Sequence, residues 1–337
     1  MRSHVLLAAA ALLLAATISQ ADERPEKLIV ATWNLEWFYD NYPGDNYAQL
    51  AKDQSAPSRA EWDWKLAGVA KAIAEMKPTI LCLQEIENQR VLFYLTSRLK
   101  KEHGLEYRTA FVEGGDFFTE QDVAILSLSG MVGFGRREQS REMHAGKEFY
   151  NVQKHLLAEF EWGTGDEKER LTIINVHFRA MPEQTEIRKR QGRLVKEWLK
   201  EPIARGENVM IVGDVNTNEV LPSAPPDGDV AVLLGVDTAD PSDDLIDLLA
   251  TVPKQPLFTH MIGRQFDRIL VTPALLQDDP QRIDLVFKSA TVRKDLVIRG
   301  KQPDKDHYNI YWTIPQAERD LSDHFPLVAE FDFVGAK

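Results

Sequence analysis

The sequence has almost no cysteine and no excess of positive charge. Cys82 is the only cysteine among 337 residues, so no internal disulfide can form and the core must supply the stability. Because Cys82 lies in the apolar run 79–83, we predict a buried packing residue, not a nucleophile or ligand. Acidic residues outnumber basic ones by 52 to 40, a formal net charge of −12 that argues against tight nonspecific binding to a polyanion. It does not exclude chemistry on a polyanion, because a bound cation and a local basic patch can offset the repulsion.

Long apolar runs are absent after the first residues. Residues 5–16 are apolar, and the small residues Ser19 and Ala21 occupy the two positions that a signal peptidase reads. This pattern predicts a signal peptide over residues 1–21, cleaved near Ala21, and a periplasmic or secreted protein. The run is short for a transmembrane helix, and its cleavage-like end disfavours the alternative of an uncleaved anchor. We expect residues 22–337 to form a single domain without stable membrane insertion, and a monomer, because nothing in the sequence demands a partner.

Short β-type runs alternate with amphipathic helical stretches along the rest of the chain. Strands are predicted at 28–33, 79–83, 123–128, 154–160, 171–177, 209–212, 266–271 and 327–333, and helices at 62–76, 91–99, 183–200 and 242–251. Residues 221–228 are rich in Pro and Gly and predict a surface loop, not a domain boundary. Many strands with few helices favour an α/β fold of two packed β-sheets flanked by helices.

Several predicted strands end in carboxylate, amide or imidazole side chains. These residues are Asn34, Glu85, His177 and Asp214 with Asn216, and the pair Asp323 and His324 precedes the last strand. Neighbouring strand ends lie side by side, so these groups can converge on one rim, where a shared metal or substrate would offset the cost of burying them. An extended backbone would direct Asp214 and Asn216 to the same face. Singly, each has a simple structural explanation such as a cap or an Asx turn, but together they favour a site.

Five ordered segments resemble the motifs of the endonuclease/exonuclease/phosphatase superfamily, which includes pancreatic-type deoxyribonuclease, apurinic endonuclease and bacterial sphingomyelinase. They are Thr-Trp-Asn-Leu at 32–35, Leu-Gln-Glu at 83–85, Asn-Val-His at 175–177, Gly-Asp-Val-Asn at 213–216 and Ser-Asp-His-Phe-Pro at 322–326. Segments 122–127 and 266–270 also match in order. Each motif alone is weak, whereas the ordered set is specific. The resemblance implies a four-layered α/β sandwich, two packed mixed β-sheets flanked by helices, with the site at one rim.

The resemblance also implies a metal centre. Glu85 would be the principal ligand, with Asn34 close to it. Asp323 would lie beside His324, toward the metal, and would count among both the metal ligands and the catalytic residues. Mg²⁺ is the expected ion, because it prefers oxygen ligands, uses few carboxylates and keeps waters and substrate phosphate oxygens. Mn²⁺ or Ca²⁺ could replace it.

The reaction that the resemblance implies is in-line attack of water on phosphorus. His177 and Asn216 would stabilise the negatively charged transition state. Asp214 would orient or deprotonate water. His324 would act as a base or as a phosphate-binding cation, with Asp267 orienting its ring. The identity of the group that takes the proton stays open. For Asp267 considered without the resemblance, a structural ion pair to Arg268 or another cation is as good an explanation as a functional role.

Substrate contacts are predicted less sharply. Arg179 follows His177 at the same strand end, which predicts a phosphate contact beside His177 and Asn216. Two other basic clusters, at 136–141 and 188–193, are more typical of solvated faces. Aromatic residues in 33–47 could stack on bases or pack in the core.

These residues favour an exported, metal-dependent phosphodiesterase, with a nuclease that hydrolyses DNA or RNA as the best hypothesis. A sphingomyelinase-like enzyme or another phosphoester phosphatase on the same fold is the alternative. A phospholipid substrate is less favoured, because Phe117 and Phe118 form the one small apolar candidate for membrane contact. A non-catalytic binding module is least favoured, since the full set of site residues is present.

Overall fold

The computed structural model describes residues 24–335 except 222, 224, 254–256, 282, 302 and 304–306. The predicted signal peptide therefore lies outside the described residues. The described strands are β1 Lys27–Phe38, β2 Ile80–Ile86, β3 Arg108–Phe111, β4 Asp122–Ser127, β5 Met131–Gly135, β6 Lys154–Trp162, β7 Glu169–His177, β8 Val209–Asp214, β9 Ile246–Asp247, β10 Asp267–Val271, β11 Asp284–Val292 and β12 Leu327–Val334. The described α-helices are α1 Gln49–Gln54, α2 Arg59–Met76, α3 Gln89–His103, α4 Arg141–Ala145, α5 Thr185–Ala204, α6 Asp229–Leu234, α7 Leu248–Thr251 and α8 His307–Ile310.

The strands form two six-stranded sheets. The first has the order β11-β12-β1-β2-β4-β3 and the second the order β5-β6-β7-β8-β10-β9. Both sheets are mixed, because β1 pairs with β2 in parallel and β7 pairs with β8 in parallel, whereas the other described pairings are antiparallel. The predicted pair of mixed sheets flanked by helices is confirmed.

Apolar side chains fill the spaces between four layers. The space between the two sheets contains Val30, Cys82, Ile173, Val212 and Phe331. The outer face of the first sheet packs on α2 and α3 through Trp62, Val69 and Leu95. The outer face of the second sheet packs on α5 through Leu194, Val195 and Leu199. Cys82 is buried as predicted, and burial raises the pKa of its thiol well above the usual value, which leaves it unreactive.

The two long helices of the first outer layer begin and end at capping residues. Ser58 Oγ accepts a hydrogen bond from Glu61 N at the start of α2, and the left-handed Lys77 ends it before Pro78. Asn88 accepts bonds from the first backbone N–H groups of α3, and Gly104 ends that helix. Among the described residues, no helix combines the length and the apolar composition that crossing a membrane requires.

The structure corrects the predicted helix at 242–251. This segment contains a short 3-10 turn at Pro241–Asp243, strand β9 and only one helical turn, α7. Pairing of β9 with β10 at the edge of the second sheet outweighs the helical pattern. Asp247 ends β9, caps α7 through Leu249 N and binds Arg268. Arg268 therefore pairs with Asp247, not with Asp267.

Two buried amides connect the sheets through their apolar interface. Gln84 Nε2 on β2 donates to Asn175 Oδ1 on β7 at 2.7 Å. Asn175 Nδ2 donates in turn to Leu83 O at 3.0 Å and to Ala124 O at 2.9 Å, both in the first sheet. Both amide side chains are completely buried. These directional bonds fix how the two sheets are aligned, which apolar contacts alone do not do.

We expect Asn175→Ala to destabilise the fold by about 3 kcal/mol, because it removes three buried hydrogen bonds and leaves the Gln84 amide bonded to Thr32 but not across the interface. Urea unfolding followed by circular dichroism measures the change. The control is Gln281→Ala, which removes an exposed amide and should change the unfolding free energy by less than about 0.5 kcal/mol. Equal stabilities of the two variants would contradict the structural role of the bridge.

Candidate active site

The carboxyl ends of the parallel strands meet at one rim of the sandwich. Asn34 on β1 lies opposite Gln84 on β2, and Gln84 directly precedes Glu85. In the second sheet, His177 at the end of β7 pairs in register with Asp214 at the end of β8, and Asp214 pairs with Asp267 on β10. The strand register therefore brings the predicted residues of both sheets to one place.

Seven of the predicted residues line one cleft of about 590 Å³, namely Glu85, His177, Arg179, Asp214, Asn216, Asp323 and His324. The other two, Asn34 and Asp267, lie behind this lining and bind it through hydrogen bonds. The structure thus brings all nine predicted residues together. Their individual roles stay predictions.

Asn34 joins the two sheets at the rim. Its Nδ2 donates to Glu85 Oε1 and to Asp214 Oδ2, both at 3.0 Å, and its Oδ1 accepts from Glu36 N at 2.9 Å. The amide oxygen is therefore directed at the backbone, and the amide nitrogen positions two carboxylates. In this arrangement Asn34 acts as a donor, and metal ligation by Asn34 stays a prediction.

The Glu85 carboxylate lies in a crowded, buried position. Its Oε2 accepts from Trp37 N at 2.8 Å, and its backbone is left-handed with a φ of 61°, which is uncommon for a non-glycine residue. Burial, followed by the charge of Asp323, raises the pKa of Glu85 to about 7, against the opposing effects of Asn34 and Lys154. A divalent cation would relieve the repulsion between the Glu85 and Asp323 carboxylates and would find oxygen ligands on both, so the residues present fit a hard cation.

His324 is held as an imidazolium. Its Nδ1 donates to Asp267 Oδ2 at 2.8 Å, and Asp267 is completely buried. Burial lowers the pKa of His324, but the charges of Asp267, Asp323 and Asp214 outweigh burial and hold that pKa well above the usual value. Its Nε2 faces the cleft, 3.7 Å from Asp214 Oδ2 and 3.9 Å from Asp323 Oδ1.

The charge state of His177 differs from that of His324. Burial, aided by the charges of Lys154 and His324, lowers the pKa of His177 well below its usual value, so the ring is neutral. Its Nε2 lies 3.6 Å from Asp214 Oδ2 and 4.0 Å from Glu85 Oε1. A neutral and a charged imidazole therefore face the same Asp214 carboxylate, an arrangement that can supply both a proton donor and an uncharged polar contact.

The Asp214 segment differs from the extended geometry that the sequence suggested. Gly213 has a φ of 130°, and a Cβ there would lie 2.1 Å from Val176 O, so only glycine allows β8 to approach β7 so closely. Asn216 has a φ of 51°, and its N–H donates to Asp214 Oδ1 at 2.8 Å in an Asx turn. Both side chains still line the cleft, but through this turn and not through strand alternation.

Two further residues at the cleft have no motif of their own in the sequence. Lys154 begins β6 opposite His177, and its Nζ binds Gln121 Oε1 at 2.7 Å and Asp116 Oδ2 at 3.0 Å. His260 Nε2 lies 3.2 Å from Asp323 Oδ2. Lys154 was not predicted; the signal that could have indicated it is a cation at the start of a strand that pairs with the His177 motif. For His260 the sequence gives none.

The basic cluster on α5 is not a solvated face throughout. Arg188 is buried, its Nε binds Asp229, and its Nη1 donates to Arg179 O at 3.2 Å and to Met181 O at 2.7 Å. Met181 has a φ of 81° and is exposed at the mouth of the cleft. Arg188 therefore holds the loop after β7, which carries Arg179 into the cleft lining.

Several solved structures share this architecture at low sequence identity. An endonuclease/exonuclease/phosphatase from Bacteroides vulgatus matches with a TM-score of 0.57 and 16% identity, covering 91% of this chain and 99% of that one. The catalytic domain of human Nocturnin, with bound sulfate anion, gives 0.56 and 17%, covering 93% and 97%. Humanized D. rerio TDP2 with 14 mutations gives 0.55 and 16%, covering 91% and 100%. No protein-family model and no curated protein sequence matches the chain.

These likenesses show the fold. The chain has the endonuclease/exonuclease/phosphatase fold, as the ordered motifs predicted. The activity of this chain does not follow from the fold alone, because one fold can carry different chemistry at the same rim.

Cation affinity should depend on pH through Glu85. Because the pKa of Glu85 is raised to about 7, the carboxyl is largely protonated at pH 6, and a bound cation must displace that proton. We expect Mn²⁺ affinity to rise about fivefold from pH 6 to pH 7, to reach about tenfold by pH 8 and then to level off. Electron paramagnetic resonance of free Mn²⁺ measures it. The control Glu85→Gln should bind weakly with a flatter profile, and a flat profile in the unmodified protein would contradict the assignment.

Proposed function

We propose that this protein is an exported, divalent-cation-dependent phosphodiesterase that hydrolyses nucleic acid. The observation that carries the proposal is the convergence of the imidazoles of His177 and His324 on the Asp214 carboxylate, at 3.6 and 3.7 Å, in one cleft that Glu85 and Asp323 also line. Export rests on the sequence pattern at residues 1–21 alone. Nucleic acid as the substrate draws support from the fold, since D. rerio TDP2 has been solved in complex with a single strand DNA product.

The carboxylates of Glu85 and Asp323 would hold the cation. When bound, it would neutralise charge on the phosphate and on the leaving oxygen. Asn34 Nδ2 and Trp37 N bind the Glu85 carboxylate, and His260 Nε2 lies 3.2 Å from Asp323 Oδ2. These bonds hold the carboxylates before substrate arrives, so little reorganisation is needed.

Asp214 would orient the attacking water and accept its proton. Burial raises the pKa of Asp214, which makes this carboxylate a better base than an exposed one. Asn34 Nδ2 and Asn216 N hold its two oxygens at 3.0 and 2.8 Å. His324 would donate from Nε2 to a phosphate oxygen as negative charge grows, and the buried Asp267 would keep its ring charged and aligned. His177 would add a neutral hydrogen bond from the second sheet.

Two cations and several apolar side chains surround this centre. Lys154 and Arg179 line the cleft and would contact phosphate oxygens on either side of the scissile bond. Three large side chains line the mouth and are exposed, Phe118 by 73%, Met181 by 64% and Tyr308 by 55%. Flat, exposed rings beside a phosphate site suit unpaired bases, which stack without a need for sequence-specific hydrogen bonds.

A phospholipid phosphodiesterase is the second candidate. Phe117 is exposed by 82% beside Phe118, and this pair could enter a lipid surface. The apolar residues of the mouth nevertheless come from three separate segments around the cleft, two loops and α8, and not from one apolar hairpin that could enter a membrane. Nucleic acid is therefore the favoured substrate.

The mature protein, residues 22–337, should hydrolyse single-stranded DNA or RNA and bis-p-nitrophenyl phosphate with Mg²⁺ or Mn²⁺ and lose this activity in EDTA. We expect His324→Ala and Asp214→Asn each to lower kcat by about 10³-fold, because each removes a group that acts on the reacting atoms. The matched control is His103→Ala, an exposed histidine outside the cleft, which should leave kcat unchanged.

The panel of substrates separates the candidate functions. Cleavage of sphingomyelin vesicles without cleavage of nucleic acid would replace the substrate and keep the chemistry. Full activity in EDTA, or in both cleft variants, would overturn the proposal.

The apolar mouth should act on nucleic acid and not on small esters. We expect Phe118→Ala or Tyr308→Ala to raise KM for single-stranded DNA about tenfold, the effect of losing one stacked base, and to leave bis-p-nitrophenyl phosphate hydrolysis unchanged. Steady-state kinetics on both substrates measures the difference. Phe93→Ala, which removes an exposed ring from α3 away from the cleft, is the control. Equal KM values for DNA in all three variants would contradict a stacking role.

A further inference from the structure

His260 lies beside the Asp323 carboxylate, on a short turn that is hydrogen-bonded to the segment just before β12. The backbone of Thr259 and Met261 pairs with that of Phe325 and Asp323, at 2.7 and 2.9 Å. The turn closes through Gly263, whose N–H donates to His260 O at 3.0 Å. This pairing brings His260, which is 63 residues away from Asp323 in the sequence, against its carboxylate.

Ring packing fixes the orientation of the His260 side chain. The ring lies edge to face against Phe266 at 4.9 Å between centroids, and against His324 at 4.5 Å. Only 9% of the residue is exposed. A buried ring held on two sides has little freedom to rotate, so its two nitrogens have defined partners.

Those partners fix where the proton lies. Ile262 N donates to His260 Nδ1 at 3.2 Å, so Nδ1 must be the acceptor. Nε2 then carries the proton and donates it to Asp323 Oδ2 at 3.2 Å. The ligand atoms of His260, Asp323 and His324 lie within 4.8 Å of one another, close enough to suggest a metal site with two imidazoles. The proton on Nε2 argues against that interpretation, because a nitrogen ligand must present a lone pair.

We propose that His260 is a positioning residue that sets which cation the cleft accepts. Its Nε2–H occupies Asp323 Oδ2, so that Asp323 Oδ1 remains for the cation, and its own nitrogen is withheld from coordination. The centre then offers mainly carboxylate oxygen, which suits Mg²⁺ or Mn²⁺, and withholds the imidazole nitrogen that would favour Zn²⁺. This inference rests on the cation-dependent function proposed above.

His260→Gln and His260→Ala test the inference, because the Gln side-chain amide can still donate to Asp323 whereas Ala cannot. Binding of Mn²⁺ and of Zn²⁺ to the protein without substrate is measured by paramagnetic resonance and by calorimetry. We expect His260→Ala to weaken Mn²⁺ binding at least about tenfold, as loss of a hydrogen bond to a ligand does, and His260→Gln to restore it to within about twofold. Zn²⁺ affinity should be equal in His260→Gln and the unmodified protein.

Two results would overturn the proposal that His260 is a positioning residue. A large loss of Zn²⁺ affinity in His260→Gln would show that the ring nitrogen is a ligand and would overturn the proposal. Unchanged Mn²⁺ affinity in His260→Ala would overturn it too. Thermal unfolding in EDTA checks that both variants fold, and if His260→Ala does not, the Zn²⁺ to Mn²⁺ affinity ratio of His260→Gln still decides. Intact Mn²⁺ binding without hydrolysis of bis-p-nitrophenyl phosphate would instead contradict the proposed function and leave this inference standing.

Discussion

The hydrogen bond between the buried amides of Gln84 and Asn175 fixes the alignment on which the site depends. Two apolar sheet faces can pack in several alignments at similar cost, because the hydrophobic effect has no direction. A completely buried amide must find partners, so Gln84 and Asn175 allow one alignment in which both are satisfied. Gln84 directly precedes the site residue Glu85, and Asn175 lies two residues before the site residue His177. The alignment of the sheets is thereby transmitted directly to the cleft.

The rim then concentrates several unfavourable features. Left-handed backbone occurs at Glu36, Trp37, Glu85 and Asn216, all at or beside the cleft. Burial, followed by the charge of Asp323, raises the pKa of Glu85, and one oxygen of Asp267 has no hydrogen-bond partner among the described residues. Such features cost stability, and they persist where surrounding bonds hold them. The strand ladders and the capped helices provide that support, so the strain is a consequence of building a site that is ready for its substrate.

The sequence predicts the main strands and the residues at their ends because both leave local signals. Alternating apolar runs define a strand, and the Asp214 or Glu85 that follows is visible as a polar residue out of pattern. Besides β9, which lay within the predicted helix, the predicted strands omitted β3, β5 and β11, whose faces are partly exposed and mix polar with apolar side chains. His260 could not be found, because a histidine in a loop gives no indication of a partner 63 residues away. The Asx turn at Asp214 was weighed only as an alternative to a site, because spacing in the sequence does not reveal that the backbone angles allow both.

The acidic surface and the cleft together constrain how a polyanionic substrate can be recognised. With a formal charge of −12, the protein gains no affinity from a broad basic surface, so contacts to distant phosphates would contribute little. The cationic side chains lie in the cleft itself, on Lys154, Arg179 and the charged His324. In the proposed reaction, binding energy placed there would act where negative charge grows and would favour the transition state over the bound substrate. Recognition would then depend on the few groups beside the scissile phosphate, so the apolar mouth and the choice of cation would carry much of the specificity.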